Sequence, residues 1–341
     1  MKAHRRIILL VVASVALVLV VAASALAAAS KPAKSQKTLI IGYTPPTLTI
    51  ADFYINMARG FMAEAKRIGL DAKVLVKSPS THAAAAEQLN IVQSYINRKV
   101  DYLWISPVAY EAGTPMLAAA ARAKIPVITG PFLNQYKGAK VLTYAGFSEF
   151  DNGALEASWA IEQYGETLKV AILQGAAGQF NSERVNGIMS VLKKHPGVRV
   201  VAKPVCDWDR QKALDAVSNI MTAHPDLNVV FSVAGDMGMG AVEALKTSGK
   251  LNKPTHVVSF DASGQEVNSI LRGEMSASMF NNPLGIGALV ANAVKADQEG
   301  KKVALIQKVA LVAVTKANGK TAVPAWYRGI GKPEFFPQYW G

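Results

Sequence analysis

Arg184 stands in Asn181-Ser182-Glu183-Arg184, a polar run that opens a helix just after an apolar stretch ending at Gln174-Gly175. A guanidinium there can offer a planar fork of donors to ligand oxygens, or close a salt bridge with a surface carboxylate. Other groups suited to holding a small polar molecule recur at the same kind of place, the end of a strand-like run. Asp261, in Phe260-Asp261-Ala262, can accept hydrogen bonds from hydroxyls or cap the next helix. Asn281-Asn282-Pro283 supplies amides that are either ligand contacts or turn formers. Trp208 lies between Asp207 and Asp209, acids that must stay wet or paired, which points its ring to a cleft rather than a core. Phe53 and Tyr54 open a helix after Gly42-Tyr43-Thr44-Pro45, where a ring face can cover the C–H face of a sugar or serve as a core staple. Phe132 follows Gly130-Pro131 at a further strand end. Asp236 lies in Gly235-Asp236-Met237-Gly238-Met239-Gly240, as a ligand acceptor or a helix cap. Those glycines read G-x-x-G-x-G rather than the dinucleotide G-x-G-x-x-G, and suit tight turns and close helix packing.

These groups bind; they do not suggest turnover. The five histidines have no second ligand at metal spacing, and neither a G-x-S-x-G elbow nor a phosphate-cradling G-x-x-x-x-G-K-[ST] loop occurs. No cofactor is expected.

The elements that must position these residues are periodic. Short β-rich runs at 38–44, 72–76, 100–106, 126–130 and 141–147 alternate with helical patterns at 53–68, 83–98 and 110–123. The order begins again with Lys169-Val170-Ala171-Ile172-Leu173, a helix at 180–195, a strand at 199–205 and a helix at 210–224. Strands at 227–233, 256–262 and 275–280 follow. Gly60-Phe61-Met62-Ala63 and Gly187-Ile188-Met189-Ser190 occupy matching places, which marks an internal duplication. The fold class is therefore α/β, two doubly wound parallel-sheet lobes with right-handed crossovers. Ligands of such sheets lie beyond the carboxyl ends of the strands, where all the groups above are found.

Met1-Lys2-Ala3-His4-Arg5-Arg6 and the apolar run to Ala29 read as a signal peptide over 1–29, with A-x-A sites ending at Ala27 and Ala29. The run could also span a bilayer as an uncleaved anchor. No cysteine follows it to serve as a lipid attachment site. A polar leader at 30–37 comes next, and the remaining length of about 310 residues suits two domains. Cys206, the single cysteine, cannot pair within the chain, so an exported protein of this kind depends on packing and not on disulfides. Of the formal net charge of +13, Lys2, Arg5 and Arg6 carry three, leaving +10. These cations are spread over nearly every segment, so nucleic acid is not an expected partner.

Leu103-Trp104-Ile105-Ser106-Pro107, Ile125-Pro126-Val127-Ile128-Thr129, Leu173-Gln174-Gly175, Trp208-Asp209-Arg210, Thr222-Ala223-His224-Pro225-Asp226 and Phe260-Asp261 together resemble the periplasmic sugar-binding proteins of the ribose-binding type, over about 38 to 315. The resemblance implies sugar-ring contacts from Phe53, Tyr54 and Trp208, with hydroxyl contacts from Arg184, Asp261 and Asn281. It also implies a three-stranded hinge crossed near Phe147, Met279 and Lys316. Lobe 1 would hold 38–146 and 280–315, lobe 2 would hold 147–279, and a tail at 316–341 would return over the lobes. Partners would be a sugar or polyol and the permease of an ABC importer, or alternatively a chemoreceptor or sensor kinase. The chain departs from the family pattern at Gly130-Pro131-Phe132, where the family has an Asp-Arg pair, and at Ala234, where it has an Asn. Those losses argue against plain ribose. Ile50-Ala51-Asp52-Phe53-Tyr54 and Tyr144-Ala145-Gly146-Phe147 are also similar to stretches of autoinducer-2-binding proteins, a ligand alternative on the same fold.

Overall fold

The computed structural model describes residues 37–48, 53–81 and 84–335, with the backbone of 338–339. The signal peptide, nearly all of the leader and Asp52 lie outside the described residues. The first half runs β1 (Leu39–Thr44), α1 (Phe53–Arg67), β2 (Ala72–Val76), α2 (Ala85–Asn97), β3 (Tyr102–Ile105), α3 (Tyr110–Arg122), β4 (Val127–Thr129) and β5 (Thr143–Gly146). The second runs α4 (Glu149–Tyr164), β6 (Lys169–Leu173), α5 (Gln179–Leu192), β7 (Arg199–Ala202), α6 (Arg210–Ala223), β8 (Val229–Ser232), α7 (Gly235–Thr247), β9 (His256–Phe260), α8 (Gly264–Arg272) and β10 (Ala277–Phe280). Then come α9 (Pro283–Gln298), β11 (Ile306–Lys308), β12 (Val312–Thr315), a 3-10 turn (Ala325–Arg328) and β13 (Gln338–Tyr339).

Two sheets result, ordered β11-β5-β4-β3-β1-β2-β13 and β12-β10-β9-β8-β6-β7. Tyr43 of β1 pairs in parallel with Val76 of β2 on one side and Trp104 of β3 on the other. β6 stands in the same relation to β7 and β8. Strand order thus reverses beside β1 in one lobe and β6 in the other, which opens a crevice at the strands' carboxyl ends. β3 shows why both faces must be covered. Tyr102 and Trp104 face Met57, Phe61 and Ile286, whereas Leu103 and Ile105 face Ile91, Val92 and Met116.

The duplicated glycines have one job in both lobes. A Cβ on Gly60 of α1 would lie 2.2 Å from the Leu284 carbonyl of α9, and one on Gly187 of α5 would lie 2.1 Å from the Phe150 carbonyl of α4. Each permits two helices to pack backbone to backbone.

The structure differs from the sequence expectation in two places. The sequence pattern names no helix between Phe147 and Lys169, yet α4 fills that span, capped by Ser148 Oγ accepting the Asp151 N–H at 3.1 Å. Its buried face carries Glu149, Asn152 and Glu156 beside alanine and glycine, which blurs the apolar period. The second difference lies in the lobe boundary. β12 belongs to the second sheet, antiparallel to β10 with Val312 opposite Phe280, and not to lobe 1. The chain therefore crosses between sheets at 147–148, 281–282 and 309–311 rather than near Lys316. The return gives β10 a partner on the edge that would otherwise stay open. Beyond it, β13 adds to the far edge of the first sheet beside β2.

Candidate functional site

Arg184 projects from the first turns of α5, a helix whose entry is fixed by the Asn181 side chain accepting the Gly175 N–H at 2.8 Å. Its Nε and Nη2 donate to the two carboxylate oxygens of Glu149 at 2.7 and 2.9 Å, and its Nη1 donates to the Val233 carbonyl at 2.7 Å. The two side chains are only 11% and 1% exposed. Burial pushes the Glu149 carboxyl up, and the guanidinium opposes that push. A guanidinium has five N–H donors, so with three engaged two remain for a ligand. The guanidinium lies 4.0 Å over the Phe260 ring and 5.5 Å from that of Trp208.

Asp261 leaves β9 with a φ of 92°, a left-handed conformation costly for a residue with a side chain. The turn directs one carboxylate oxygen to the Gly235 N–H that opens α7, at 3.1 Å, and the other to Asn281 Nδ2 at 3.2 Å. The cap of α8 falls instead to Ser263, so Asp261 is not the cap of the helix that follows it. Asn281 is buried, and its Oδ1 has no partner. Asn282, next in sequence, is the turn former: in left-handed conformation it caps α9 by accepting the Gly285 N–H. Tyr54, at the start of α1 in the other lobe, has its phenol pushed up by burial and feels the charges of Arg184, Glu149 and Asp261.

Beneath this layer lie two more carboxyls. Glu156 accepts the Ser232 N–H at 3.1 Å through one oxygen and leaves the other unpartnered. Glu266 completes the capping box of α8 and accepts the Ser278 hydroxyl at 2.8 Å. Burial, aided by the Asp261 charge, pushes Glu266 up to about 8, and burial raises Glu156 and Asp261 as well.

Aromatic rings complete the cleft. Phe53 meets Tyr54 edge-on at 5.1 Å and Phe147 at 6.4 Å. Phe147 lies 6.3 Å from Phe132 and 6.2 Å from Phe260, and Phe132 stacks on Phe180 of the opposite lobe at 3.9 Å. Beside that stack, Asn134 of the first lobe donates to Glu183 of the second at 2.9 Å. Trp208 is 37% exposed and rests on Gly175, where a Cβ would lie 2.3 Å from its ring. Its acidic neighbours are engaged: Asp207 pairs with Lys212 at 2.7 Å, and Asp209 caps α6.

The structure thus brings Tyr54, Arg184, Trp208, Asp261 and Asn281 into one region, with Phe53 and Phe132 on its aromatic margin. Asp236 does not join them. It is exposed on the first turn of α7 and pairs with Arg210 at 3.0 Å, because that helix turns it outward. The helix cap is Ala234, so Asp236 is not a cap either. Its glycines serve packing: a Cβ on Gly238 would lie 2.2 Å from Ser259 Oγ. Glu149, Phe147, Phe180 and Phe260 are the site's other members. Phe180 and Glu149 follow the ends of β6 and β5, so the rule that singled out Arg184 and Asp261 applies equally to them.

Fixed donors and acceptors at one end and ring faces along the rest suit reversible capture of a small hydroxylated molecule. The family described as a periplasmic binding protein domain matches residues 41–302. A ribose import binding protein of Bacillus subtilis is 30% identical over 277 residues, 80% of this chain and 87% of that protein. A D-allose-binding periplasmic protein of Escherichia coli is 30% identical over 264 residues, 74% of this chain and 83% of the other. Among solved structures, an ABC transporter periplasmic solute-binding protein of Actinobacillus succinogenes with bound D-allose superposes with a TM-score of 0.73 at 25% identity. That likeness covers 83% of this chain and 99% of the other.

Proposed function

The chain belongs to the periplasmic binding protein family, a family of binding proteins and not of enzymes, and from that premise we propose that it captures a sugar or sugar-like polyol between its lobes and delivers it to the permease of an ABC importer. The observation that carries this reading is the Arg184, Asp261 and Asn281 cluster. Its buried groups are held by protein partners on one side, while two guanidinium N–H groups and Asn281 Oδ1 are left for a ligand. Phe53, Tyr54 and Trp208 provide ring faces for its C–H edges. Three crossings between the sheets let the lobes move as rigid bodies. Residues 1–29 direct export and are removed near Ala27 or Ala29, leaving the mature protein without a lipid anchor.

Thermal melting against pentoses, hexoses and polyols tests this, since a ligand bound only by the folded state raises the midpoint. The expected result is a large shift with one compound that disappears in Trp208→Ala and Asp261→Ala. No shift with any of these compounds would remove sugars and polyols as the ligand class.

A further inference from the structure

We propose that the lip formed by Thr129–Phe132 and Phe180 is an apolar subsite, so that the ligand is a deoxy or methyl-bearing sugar or polyol rather than a fully hydroxylated one. This rests on the sugar-binding reading and narrows it. At the lip, three consecutive positions offer no polar side chain. Gly130 cannot carry one, because a Cβ there would lie 2.2 Å from the Ala145 carbonyl, and Pro131 and Phe132 are apolar. The small cavity beside them is walled by Phe132, Phe180, Tyr110 and Tyr136. Two of the polar groups nearby are committed: Asn134 Nδ2 donates to Glu183 at 2.9 Å, and the Tyr110 hydroxyl donates to the Gln135 carbonyl at 2.7 Å. Thr129 Oγ1 is buried without a partner and lines the same cavity, so its hydroxyl can donate to the ring oxygen there. Further hydroxyls pressed against the two phenylalanines would lose their water with nothing to replace it. A methyl or methylene in the same place loses nothing. The polar end of the ligand faces Arg184, Asp261 and Asn281, and its apolar end faces the lip.

Calorimetric titration of the protein with matched pairs tests this: D-fucose against D-galactose, D-quinovose against D-glucose, and 2-deoxy-D-ribose against D-ribose. The expected result is that in the pair that binds, the deoxy sugar binds at least about tenfold more tightly, the cost of one unsatisfied hydroxyl. Phe132→Asn, which supplies a hydrogen-bonding group at the lip, should reduce or reverse that preference. Equal or tighter binding of the fully hydroxylated member overturns the subsite and leaves the sugar reading intact. Binding of none of the six overturns the subsite, while the sugar reading stands or falls on the melting panel of pentoses, hexoses and polyols.

The C-terminal segment touches both lobes independently of the cleft, and we infer that it is a strap restraining their opening. Tyr327 is held by the second lobe: a Cβ on Gly264 would lie 1.9 Å from its carbonyl, its ring meets Phe280 edge-on at 6.1 Å, and the adjacent Arg328 carbonyl accepts from Asn268 at 3.1 Å. Trp326 reaches the first lobe, with the Arg59 guanidinium of α1 5.6 Å from its ring. Farther along α1, Lys66 pairs with Glu334 at 2.9 Å and lies 5.5 Å from the Phe335 ring, before β13 joins β2. Neighbouring residues thus grip opposite lobes, and separating them must break one grip. Small-angle scattering of the Trp326→Ala/Glu334→Ala protein, measured without ligand, should show a larger radius of gyration than the wild type. Superimposable scattering curves overturn the strap.

Discussion

The lobe of β1 to β5 and the lobe of β6 to β10 share a strand order but place different chemistry at the strands' carboxyl ends. In the first, the lining is aromatic. Phe53, Tyr54 and Phe132 form the cleft wall, and behind them Tyr43 stacks on Trp104 at 4.1 Å. In the second, Glu149, Glu156 and Asp261 gather about one buried cation, Arg184, with Glu266 beside Asp261. A duplicated backbone has therefore diverged into a wall of rings and a wall that sets buried hydrogen-bonding groups among its own rings, Phe180, Trp208 and Phe260. The second is the costlier to maintain, because each buried charge needs a partner.

The sharpest way to break this comparison is Arg184→Met. It strands the Glu149 carboxylate in the interior and is expected to lower unfolding free energy by about 3–5 kcal/mol, measured by denaturant titration, and to abolish ligand binding. Adding Glu149→Met should restore most of the stability but none of the binding. A loss below about 1 kcal/mol for the single variant would mean the pair is not truly buried.

Next in size is a pH effect confined to the second lobe. The folded-state pKa of Glu266 is raised from its ordinary 4.5 to about 8, so its contribution to stability is full below the unfolded value and is lost as pH rises through the folded one. Glu149, Glu156 and Asp261 are raised too and act in the same direction. In the first lobe the sign is opposite for Glu64, whose carboxyl is lowered by its hydrogen bond to Arg67. Melting temperature should fall between about pH 5 and 8, and Glu266→Gln should flatten that fall. An unchanged slope in the variant would place the titration elsewhere.

Smaller effects separate the walls further. Tyr54→Phe keeps the ring and removes the hydroxyl that faces Arg184, so calorimetry should show binding of the identified ligand weakened by about 0.5–1.5 kcal/mol with stability nearly unchanged. Asp236→Asn, outside the cleft on an exposed ion pair, should change stability by less than about 0.5 kcal/mol and leave affinity unaltered.

Most of the fold is legible in the sequence because its signals are local. The apolar runs of β1, β3, β6 and β8 and the helical period between them lie within a few residues of one another, and Gly60 and Gly187 mark the repeat directly. α4 is the instructive exception: a helix that buries Glu149, Asn152 and Glu156 does not look amphipathic. The site is only half legible. Proximity to a strand's carboxyl end singles out Arg184, Trp208, Asp261 and Asn281, yet the same rule equally suggests Asp236, which α7 turns to solvent.

What the sequence by itself determined is the alternation of strands and helices outside α4, the duplication and the edge on which ligand groups gather, since periodicity and turn chemistry are properties of neighbouring residues. Only the tertiary structure decided which polar groups meet. Arg184 finds Glu149 across 35 residues and the Val233 carbonyl across 49, and β12 returns to a sheet that the chain had already left. A buried charge or an open strand edge requires a partner without specifying where along the chain it comes from, and three-dimensional packing settles that choice.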